Sequence, residues 1–279
     1  MMSTNTWKKW ILPLSCCALA ALALSGCSDK NSAPQRPASA DSGDLLARIK
    51  AKGKITIAME GTWAPWTYHD KDDKLTGFDV AVGAKIAEKI GVEPEFVEGK
   101  WDGLLAGLNA GRYDLMINGV GVTPERSKAY KFSEPYAYDC VAVIVNEDDN
   151  NIAKLEDLRG KTTANTISST YAQAAEKQGA RVIGVDDLHQ TFELLLARRI
   201  DATLNSEVTF GDYKKAHPDA RIRIAFFLPE IGSIAVALKK DAATDSLRKV
   251  VDDAIAEMRA DGGLSELSVR FFGIDITRR

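Results

Sequence analysis

The sequence has few cysteines, few prolines and no excess of basic residues. Only 4 of its 279 residues are Cys and 9 are Pro, whereas 45% are hydrophobic. This composition excludes a disulfide-framework, collagen-like or disordered protein, because enough apolar material is present for a packed core of one or two domains. Lys and Arg together number 36 against 39 Asp and Glu, a net charge of −3. Since binding to phosphate backbones needs a basic surface, we expect no nucleic-acid partner.

The long apolar run of the sequence is confined to its start. Lys8 and Lys9 precede an apolar stretch over residues 11–24, which falls short of the ~20 residues that span a bilayer. A charged start, a short apolar middle and small residues at the end predict a signal peptide over residues 1–26. The motif Leu-Ser-Gly-Cys that ends at Cys27 resembles the lipobox of bacterial lipoproteins, which implies acylation of that thiol. Ordinary signal cleavage beside an incidental cysteine is the alternative.

The next segment, residues 27–43, is polar and contains Pro34 and Pro37 but no large apolar side chain. Such a segment cannot bury enough surface to order itself. We therefore predict a lipidated tether that holds the remaining chain near a membrane surface, with a reach on the order of 20 Å.

From residue 44 onward, strand and helix patterns alternate. Lys54–Met59 is predicted as a strand, Asp79–Ile90 as a helix that ends at Gly91, and the apolar spacing from Leu247 to Met258 as a long helix capped by Asp245. Further strands are predicted at 95–97, 113–117, 140–145, 161–166, 182–185 and 202–204, and further helices at 101–109, 154–158, 171–177 and 188–199. This alternation predicts the α/β class, with mostly parallel sheets covered by helices. Ligands of such sheets bind at the carboxyl ends of the strands.

A junction of this kind follows the predicted strand that ends at Ile117. Gly119 and Gly121 have no side chains, so the backbone there can approach a ligand closely. Thr123 is a good helix N-cap, which places Arg126 in the first helical turn. A cation there is unfavourable by about 0.3–1 kcal/mol unless an anion shares the site. A guanidinium fork with free N–H groups would bind a carboxylate, although a solvated surface arginine is the alternative.

Three tryptophans follow predicted strands on the same rim as Arg126. Trp63 and Trp66 flank a proline in a loop, and Trp101 opens a predicted helix. A loop of this kind favours an apolar platform over a small ligand. The alternative is that these rings fill gaps in the core.

Together these motifs resemble a known family. Trp-Ala-Pro-Trp, Gly-Phe-Asp, Trp-Asp-Gly-Leu, Thr-Pro-Glu-Arg and Phe-Ser-Glu-Pro-Tyr occur in this order, as in the polar amino-acid solute-binding proteins of ABC importers. The resemblance spans residues 43–275. It is closest to the cystine- and cysteine-binding branch, through Lys-Trp-Asp-Gly-Leu and the stretch from Asp201 to Tyr213.

The resemblance implies a type II periplasmic-binding-protein fold, in which two lobes joined by two crossovers close over one amino acid. Lobe 1 would comprise residues 44–138 and 233–279, and lobe 2 residues 139–232. The resemblance implies that Arg126 binds the α-carboxylate of the ligand, together with the backbone of Asn118, Gly119 and Gly121 and the hydroxyl of Thr123. The rings of Trp63 and Trp101 would cover the ligand, and Glu60 and Trp66 would flank its side chain. In lobe 2, Ser169 and Thr170 would complete the carboxylate site.

One position departs from the family pattern. An Asp that accepts from the ligand's α-ammonium usually ends the strand after Asp-Ala, but here that position is Ser206. A hydroxyl supplies no countercharge, and charge-assisted hydrogen bonds are about twice as strong as neutral ones. Glu207, by a bend of its strand, or Glu60 would have to compensate.

The function implied is that of an extracytoplasmic substrate-binding lipoprotein, anchored to a membrane at Cys27, which captures L-cystine or L-cysteine for an ABC permease of the inner membrane. We expect no catalysis, cofactor or metal, since His69, His189 and His217 lack metal-ligand spacing. The alternatives are another polar amino acid as ligand, or a cyclohexadienyl or arogenate dehydratase-like enzyme on the same fold. Such an enzyme would use Glu60 or Glu207 as its general acid.

Overall fold

The computed structural model describes residues 43–278 of the chain. The predicted signal peptide, the predicted lipid attachment at Cys27 and all but the last residue of the predicted tether lie outside the described residues. Between residues 43 and 278, no helix is both long and apolar enough to cross a membrane.

Strands and helices alternate along much of the described chain. The strands are β1 (Lys54–Met59), β2 (Thr62–Trp63), β3 (Thr67–His69), β4 (Leu75–Thr76), β5 (Glu93–Glu98), β6 (Leu115–Met116), β7 (Tyr130–Phe132), β8 (Ala137–Asn146), β9 (Thr162–Asn165), β10 (Arg181–Gly184), β11 (Ala202–Ser206), β12 (Ile222–Ile234) and β13 (Ala237–Lys239). The helices are α1 (Leu45–Lys52), α2 (Phe78–Ile90), α3 (Trp101–Asn109), α4 (Pro124–Ala129), α5 (Thr170–Lys177), α6 (Leu188–Leu196), α7 (Glu207–Ala216), α8 (Asp245–Ala260) and α9 (Gly263–Phe272). Two 3-10 turns cover Leu155–Leu158 and Ala242–Thr244.

Two five-stranded sheets form the framework, in the orders β5-β1-β6-β13-β7 and β10-β9-β11-β8-β12. In each sheet one strand, β1 or β9, is parallel to both of its neighbours. The remaining pairs in these two sheets are antiparallel, so each sheet is half parallel and half antiparallel, and the expectation of mostly parallel sheets holds only for β1 and β9 with their neighbours. Strands β8 and β13 enter their sheets directly from the other sheet, a few residues after β7 and β12 respectively, and therefore without the helical crossover that a parallel neighbour needs.

The chain passes between the two sheets through β8 and β12, which pair with each other along most of their length. Their register places Ala137 opposite Ile234 at one end and Asn146 opposite Ile222 at the other. The proposed lobe limits, between residues 138 and 139 and between 232 and 233, fall within this paired segment. The connection between the sheets therefore consists of two strands that run side by side.

Local sequence explains where several helices begin and end. Helix α2 buries Phe78, Val82, Ile86 and Ile90 at a spacing of four residues and ends at Gly91, whose φ of 81° is left-handed. Both features follow the prediction, because one apolar stripe must face the sheet and glycine adopts this φ without strain.

The start of helix α8 differs from the prediction. Thr244, not Asp245, is the N-cap, and the carboxylate of Asp245 binds Lys131 instead. A 3-10 turn runs directly into the helix here, and the side chain of Asp241 caps that turn by accepting from the Ala243 N–H. The capping function is thus performed one turn earlier than the apolar spacing suggests.

Candidate ligand-binding site

A cavity of about 560 Å³, including its opening to solvent, lies where the ends of strands from both sheets meet. The lining residues are Glu60, Thr62, Trp63, Trp101, Gly119, Arg126, Asn165, Thr166, Ser169, Thr170, Tyr171, Asp187, Leu188, Thr191 and Asn205. Most of them directly follow β1, β6, β9, β10 or β11, or open the next helix, as expected for ligand sites at strand ends.

Arg126 brings a buried positive charge to the wall of this cavity. Thr123 caps α4 by accepting from the Arg126 N–H at 3.1 Å, which confirms the predicted N-cap. The guanidinium donates to the carbonyl of Gly121 at 3.0 Å and to that of Ser168 at 3.3 Å, and it lies 5.0 Å from the centre of the Trp101 ring.

No carboxylate is paired with this guanidinium within residues 43–278. Arg126 is only 8% exposed, and burial lowers the pKa of its side chain because it penalises the cation. A buried cation whose protein partners are carbonyl groups and a ring is electrostatically incomplete. The site therefore favours an anionic group of a ligand beside Arg126.

The first turn of helix α5 faces the same region from the second sheet. Ser169 caps this helix by accepting from the Ala172 N–H at 3.1 Å, and Ser169 and Thr170 both line the cavity. The N-terminus of a helix carries partial positive charge and unpaired N–H groups, which bind anions. Arg126 and the start of α5 thus offer a carboxylate two attractive partners, one from each sheet.

Two of the three tryptophans cover the cavity and the third lies behind them. Trp63 and Trp101 line the cavity and are only 9% and 7% exposed. Trp66 stacks on Trp63 with a centroid distance of 5.4 Å but is fully buried against Phe78 and Phe272. This differs from the expectation that Trp66 flanks the ligand, because its ring completes the core of the first lobe.

A glycine is required where the Trp63 ring packs against the backbone. Gly119 has a φ of 53°, and a Cβ built on it would lie 2.4 Å from a carbon of the Trp63 ring. Any larger residue would be strained in φ and would displace the ring. Gly119 therefore fixes the position of the ring that covers the cavity.

Glu60 is a buried acid on the cavity wall, fixed by Asn118. Its Oε2 accepts from the Asn118 amide at 2.7 Å, and its backbone N–H donates to Asn118 Oδ1 at 2.7 Å. Burial, assisted by the nearby charges of Asp102 and Asp187, raises the pKa of Glu60 to about 7. Asn118 thus acts through its side chain on Glu60, whereas the resemblance assigned its backbone to the carboxylate clamp.

Polar contacts join the two sides of the cleft. The Trp63 indole donates to Asn205 Oδ1 at 3.3 Å, and Lys100 binds Asp186 at 2.5 Å. Asp102 accepts from both the N–H and the hydroxyl of Ser168, at 3.0 and 2.6 Å. With the contact between Arg126 and Ser168, these bonds hold the cleft closed.

Ser206 ends β11 and caps α7, so it lies beside the cavity and not on its wall. Its hydroxyl accepts from the Thr209 N–H at 3.4 Å. Glu207 is the first residue of α7 and not a continuation of the strand, and it is not among the lining residues. Of the two acids that could compensate for the missing charge at Ser206, only Glu60 is among the lining residues.

Predicted site residues therefore divide into two sets. On the cavity wall are Glu60, Trp63, Trp101, Gly119, Arg126, Ser169 and Thr170, and outside the lining are Trp66, Asn118, Gly121, Thr123 and Ser206. Sequence reasoning missed eight lining residues: Thr62, Asn165, Thr166, Tyr171, Asp187, Leu188, Thr191 and Asn205. All but Thr62 follow or end a strand of the second sheet or lie in the next helix. The same strand-end rule that singled out Arg126 could have found them.

A closed cleft between two α/β lobes, lined by a buried cation and two tryptophan rings, defines a binding protein for a small ligand with an anionic group. Residues 55–274 match the family of bacterial extracellular solute-binding proteins, family 3. The chain belongs to this family, and its two lobes have the type II periplasmic-binding-protein fold that the sequence predicts.

Relatives in this family include a cystine-binding protein. The chain is 37% identical to the L-cystine-binding protein TcyA of Bacillus subtilis over 262 residues, which cover 94% of this chain and 96% of that protein. It is 41% identical to the L-cystine solute receptor of Neisseria gonorrhoeae in its unliganded open conformation, over 85% of this chain and 100% of that one, with a TM-score of 0.56.

A third similarity concerns the conformation. An ancestral arginine-binding protein bound to arginine is 30% identical, covers 79% of this chain and 99% of its own, and has a TM-score of 0.74. The fold therefore superposes better on a liganded protein than on the open receptor, although the receptor is more similar in sequence. This agrees with the bonds that join the two sides of the cleft.

Proposed function

We propose that this protein is the extracytoplasmic substrate-binding lipoprotein of an ABC amino-acid importer and that it captures L-cystine or L-cysteine between its lobes. The observation that supports this most strongly is the pairing of Arg126 with the N-terminus of α5 across the closed cleft. A ligand carboxylate placed between them would satisfy the buried cation and hold the lobes together. Ligand binding would thus favour the closed state, which a permease can distinguish from the open one.

The chemistry of the remaining wall supports a zwitterionic ligand. Glu60 and Asp187 add two acids to the lining, against one cation, Arg126. L-cystine carries two ammonium groups, so it offers a second positive group to the acidic part of the cavity when one carboxylate binds Arg126. The rings of Trp63 and Trp101 would cover the methylene groups and the disulfide of cystine.

The proposal extends to residues outside the described structure. Signal cleavage before Cys27 and acylation of its thiol would place the lobes at the outer face of a membrane, close to the permease that receives the ligand. Residues 27–43 would serve as the tether, and residues 44–138 with 233–279 and 139–232 as the two lobes. Metabolic labelling with a fatty acid, compared between the full chain and Cys27→Ala, tests the anchor.

A thermal-shift screen of the purified mature protein against the standard amino acids and L-cystine tests the ligand. A ligand at 100 to 1,000 times its Kd stabilises the folded state by roughly 3–4 kcal/mol, which raises Tm by several degrees. We expect the largest shift with L-cystine or L-cysteine. A larger shift with another amino acid would overturn the choice of ligand, and no shift with any of them would overturn the function.

An enzymatic function on the same fold is the second candidate, and the buried Glu60 is the observation that favours it. A carboxyl group whose pKa is about 7 can act as a general acid at neutral pH. Incubation of the purified protein with prephenate or arogenate separates the two functions. We expect no turnover, and steady product formation that is lost in Glu60→Gln would support the enzyme instead.

A further inference from the structure

A buried carboxyl group without a charged partner lies next to the end of β11. Asp139, on β8, is 5% exposed, and its Oδ1 has no hydrogen-bond partner. The groups that act on it are the Ser206 hydroxyl, the Cys140 N–H and the charge of Glu207, and no cation pairs with it in the described part of the chain. An unpaired buried acid of this kind is costly, so a function is its simplest explanation.

Strand pairing brings Asp139 to Ser206. Strands β8 and β11 are antiparallel with Val141 opposite Ser206, which places Asp139 just beyond the end of β11. The Ser206 hydroxyl accepts from the Thr209 N–H at 3.4 Å and lies close enough to the Asp139 carboxyl to counteract the rise in its pKa. A hydroxyl that accepts from one group still has its own proton, so Ser206 can donate to Asp139. The acid therefore lies on the neighbouring strand, beside the position where the sequence pattern leads one to expect an acid.

Tyr171 connects this pair to the cavity. It lines the cavity, and its hydroxyl lies near the end of β11, where the Ser206 N–H donates to Asn205 Oδ1 at 2.9 Å. The charges of Asp139, Arg126 and Glu60 all act on this hydroxyl, so the negative and positive groups converge around it. The charge of Asp139 therefore acts on the part of the cavity wall that lies near Arg126.

We propose that Asp139 balances the charge of the ligand's α-ammonium group, acting across Ser206 and Tyr171 as a positioning residue in place of an acid at position 206. The proposal depends on the proposed function, because it assumes an α-amino acid in the cleft. In such a ligand the ammonium and the carboxylate are bonded to the same carbon. When Arg126 holds the carboxylate, the ammonium must therefore lie close by, on the Tyr171 side of the cavity.

The two other acids near the cleft do not fit this role as well. Glu60 is already held by Asn118, and its charge acts on the Tyr171 hydroxyl less than that of Asp139 does. Neither Glu207 nor Asp139 lines the cavity, but Asp139 is buried and unpaired beside the end of β11, whereas Glu207 is the half-buried first residue of helix α7. Burial raises the pKa of Asp139 to about 7, and a cation bound nearby would favour its ionised form.

The test moves the acid from one strand to the other. Calorimetric titration with L-cystine compares the wild type with Asp139→Asn, with the double variant Asp139→Asn/Ser206→Asp, and with Glu207→Gln as the matched control. We expect Asp139→Asn to weaken binding at least about tenfold, since the ligand's ammonium group loses its countercharge. The double variant should recover most of the loss, and Glu207→Gln should stay within about threefold of the wild type.

A purely structural role for Asp139 predicts a different result. It would leave the double variant as weak as Asp139→Asn, which would overturn the proposal, as would wild-type affinity in Asp139→Asn. A second readout is competition by 3,3′-dithiodipropionate, which is cystine without its amino groups. The preference for cystine over this analogue should fall in Asp139→Asn, and an unchanged preference would contradict a charge-balancing role.

Failure of the proposed function is distinguishable from failure of this inference. If the wild type binds neither L-cystine nor L-cysteine, the choice of ligand is wrong, and the same variants are titrated with the amino acid that gives the largest shift in the thermal screen. A tenfold loss and its recovery would then still support the role of Asp139. If no α-amino acid binds the wild type, both proposals are overturned.

Discussion

The guanidinium of Arg126, on the first lobe, donates to the carbonyl of Ser168, on the second, across a distance of 3.3 Å. This bond ties the charge that would hold a ligand's carboxylate to the loop just before helix α5. Loss of that contact on opening would also expose the N-terminus of α5. We therefore expect anion binding and lobe closure to be coupled through this pair of residues.

Replacement of Arg126 by Ala should abolish most ligand affinity. The carboxylate would be buried without its charged partner, so we expect Kd to rise at least about tenfold. The unliganded protein should keep its Tm or gain stability, since a buried cation is removed. Calorimetric titration and thermal melts check both expectations. Arg126→Lys is the matched control and should recover only part of the affinity, because an ammonium group cannot bind a carboxylate bidentately.

Replacement of Trp101 should weaken binding while the protein remains folded. The ring covers the cavity and lies 5.0 Å from the Arg126 guanidinium, and its N–H has no hydrogen-bond partner among the described residues. We expect a weaker complex for Trp101→Ala and a smaller effect for Trp101→Phe, which keeps an aromatic face. Circular dichroism establishes the fold and calorimetry the affinity. Wild-type affinity in Trp101→Ala would exclude a covering role.

The contacts that close the cleft should differ in strength. Lys100 and Asp186 are exposed side chains, and exposed ion pairs contribute about 0–1 kcal/mol. Asp102 instead accepts two hydrogen bonds from Ser168. Asp102→Ala should therefore speed ligand dissociation more than Lys100→Ala does. Stopped-flow measurement of the dissociation rate checks this order, and the reverse order would contradict it.

The stability of the unliganded protein should depend on pH through Glu60. Burial raises the pKa of this carboxyl group from its ordinary value of 4.5 to about 7. The folded protein then binds more protons than the unfolded chain between these values, so the free energy of unfolding falls as pH rises from 4.5 to 7. Urea denaturation across this range should show a shallower fall for Glu60→Gln than for the wild type. Glu125→Gln, on the exposed face of α4, is the control and should leave the slope unchanged.

Local patterns in the sequence are sufficient to predict much of the fold and part of the site. The bounds of β1 and α3 agree with the prediction to the residue, because each is a regular apolar pattern between clear breaks. The cap at Thr123 and the unusual place of Arg126 follow from rules that concern a few neighbouring residues. Where the chemistry is local, the sequence is informative.

The remaining features depend on contacts between distant residues. Trp63 and Trp66 look alike in sequence, and only the packing of Trp66 on Phe272 decides which ring faces the cavity. Strand β12 contains Pro229 and shifts register between Phe227 and Ile231, so no regular alternation marks it. Polar residues at strand ends, such as Asn205, resemble ordinary caps until the second lobe closes over the first.

The most direct test is a calorimetric titration of the mature wild-type protein with L-cystine and L-cysteine, beside Arg126→Ala. The account predicts saturable binding of one ligand per chain by the wild type and loss of most of that affinity in the variant. Equal binding by both proteins would contradict the assignment of the site, and no binding of either ligand by the wild type would contradict the proposed function.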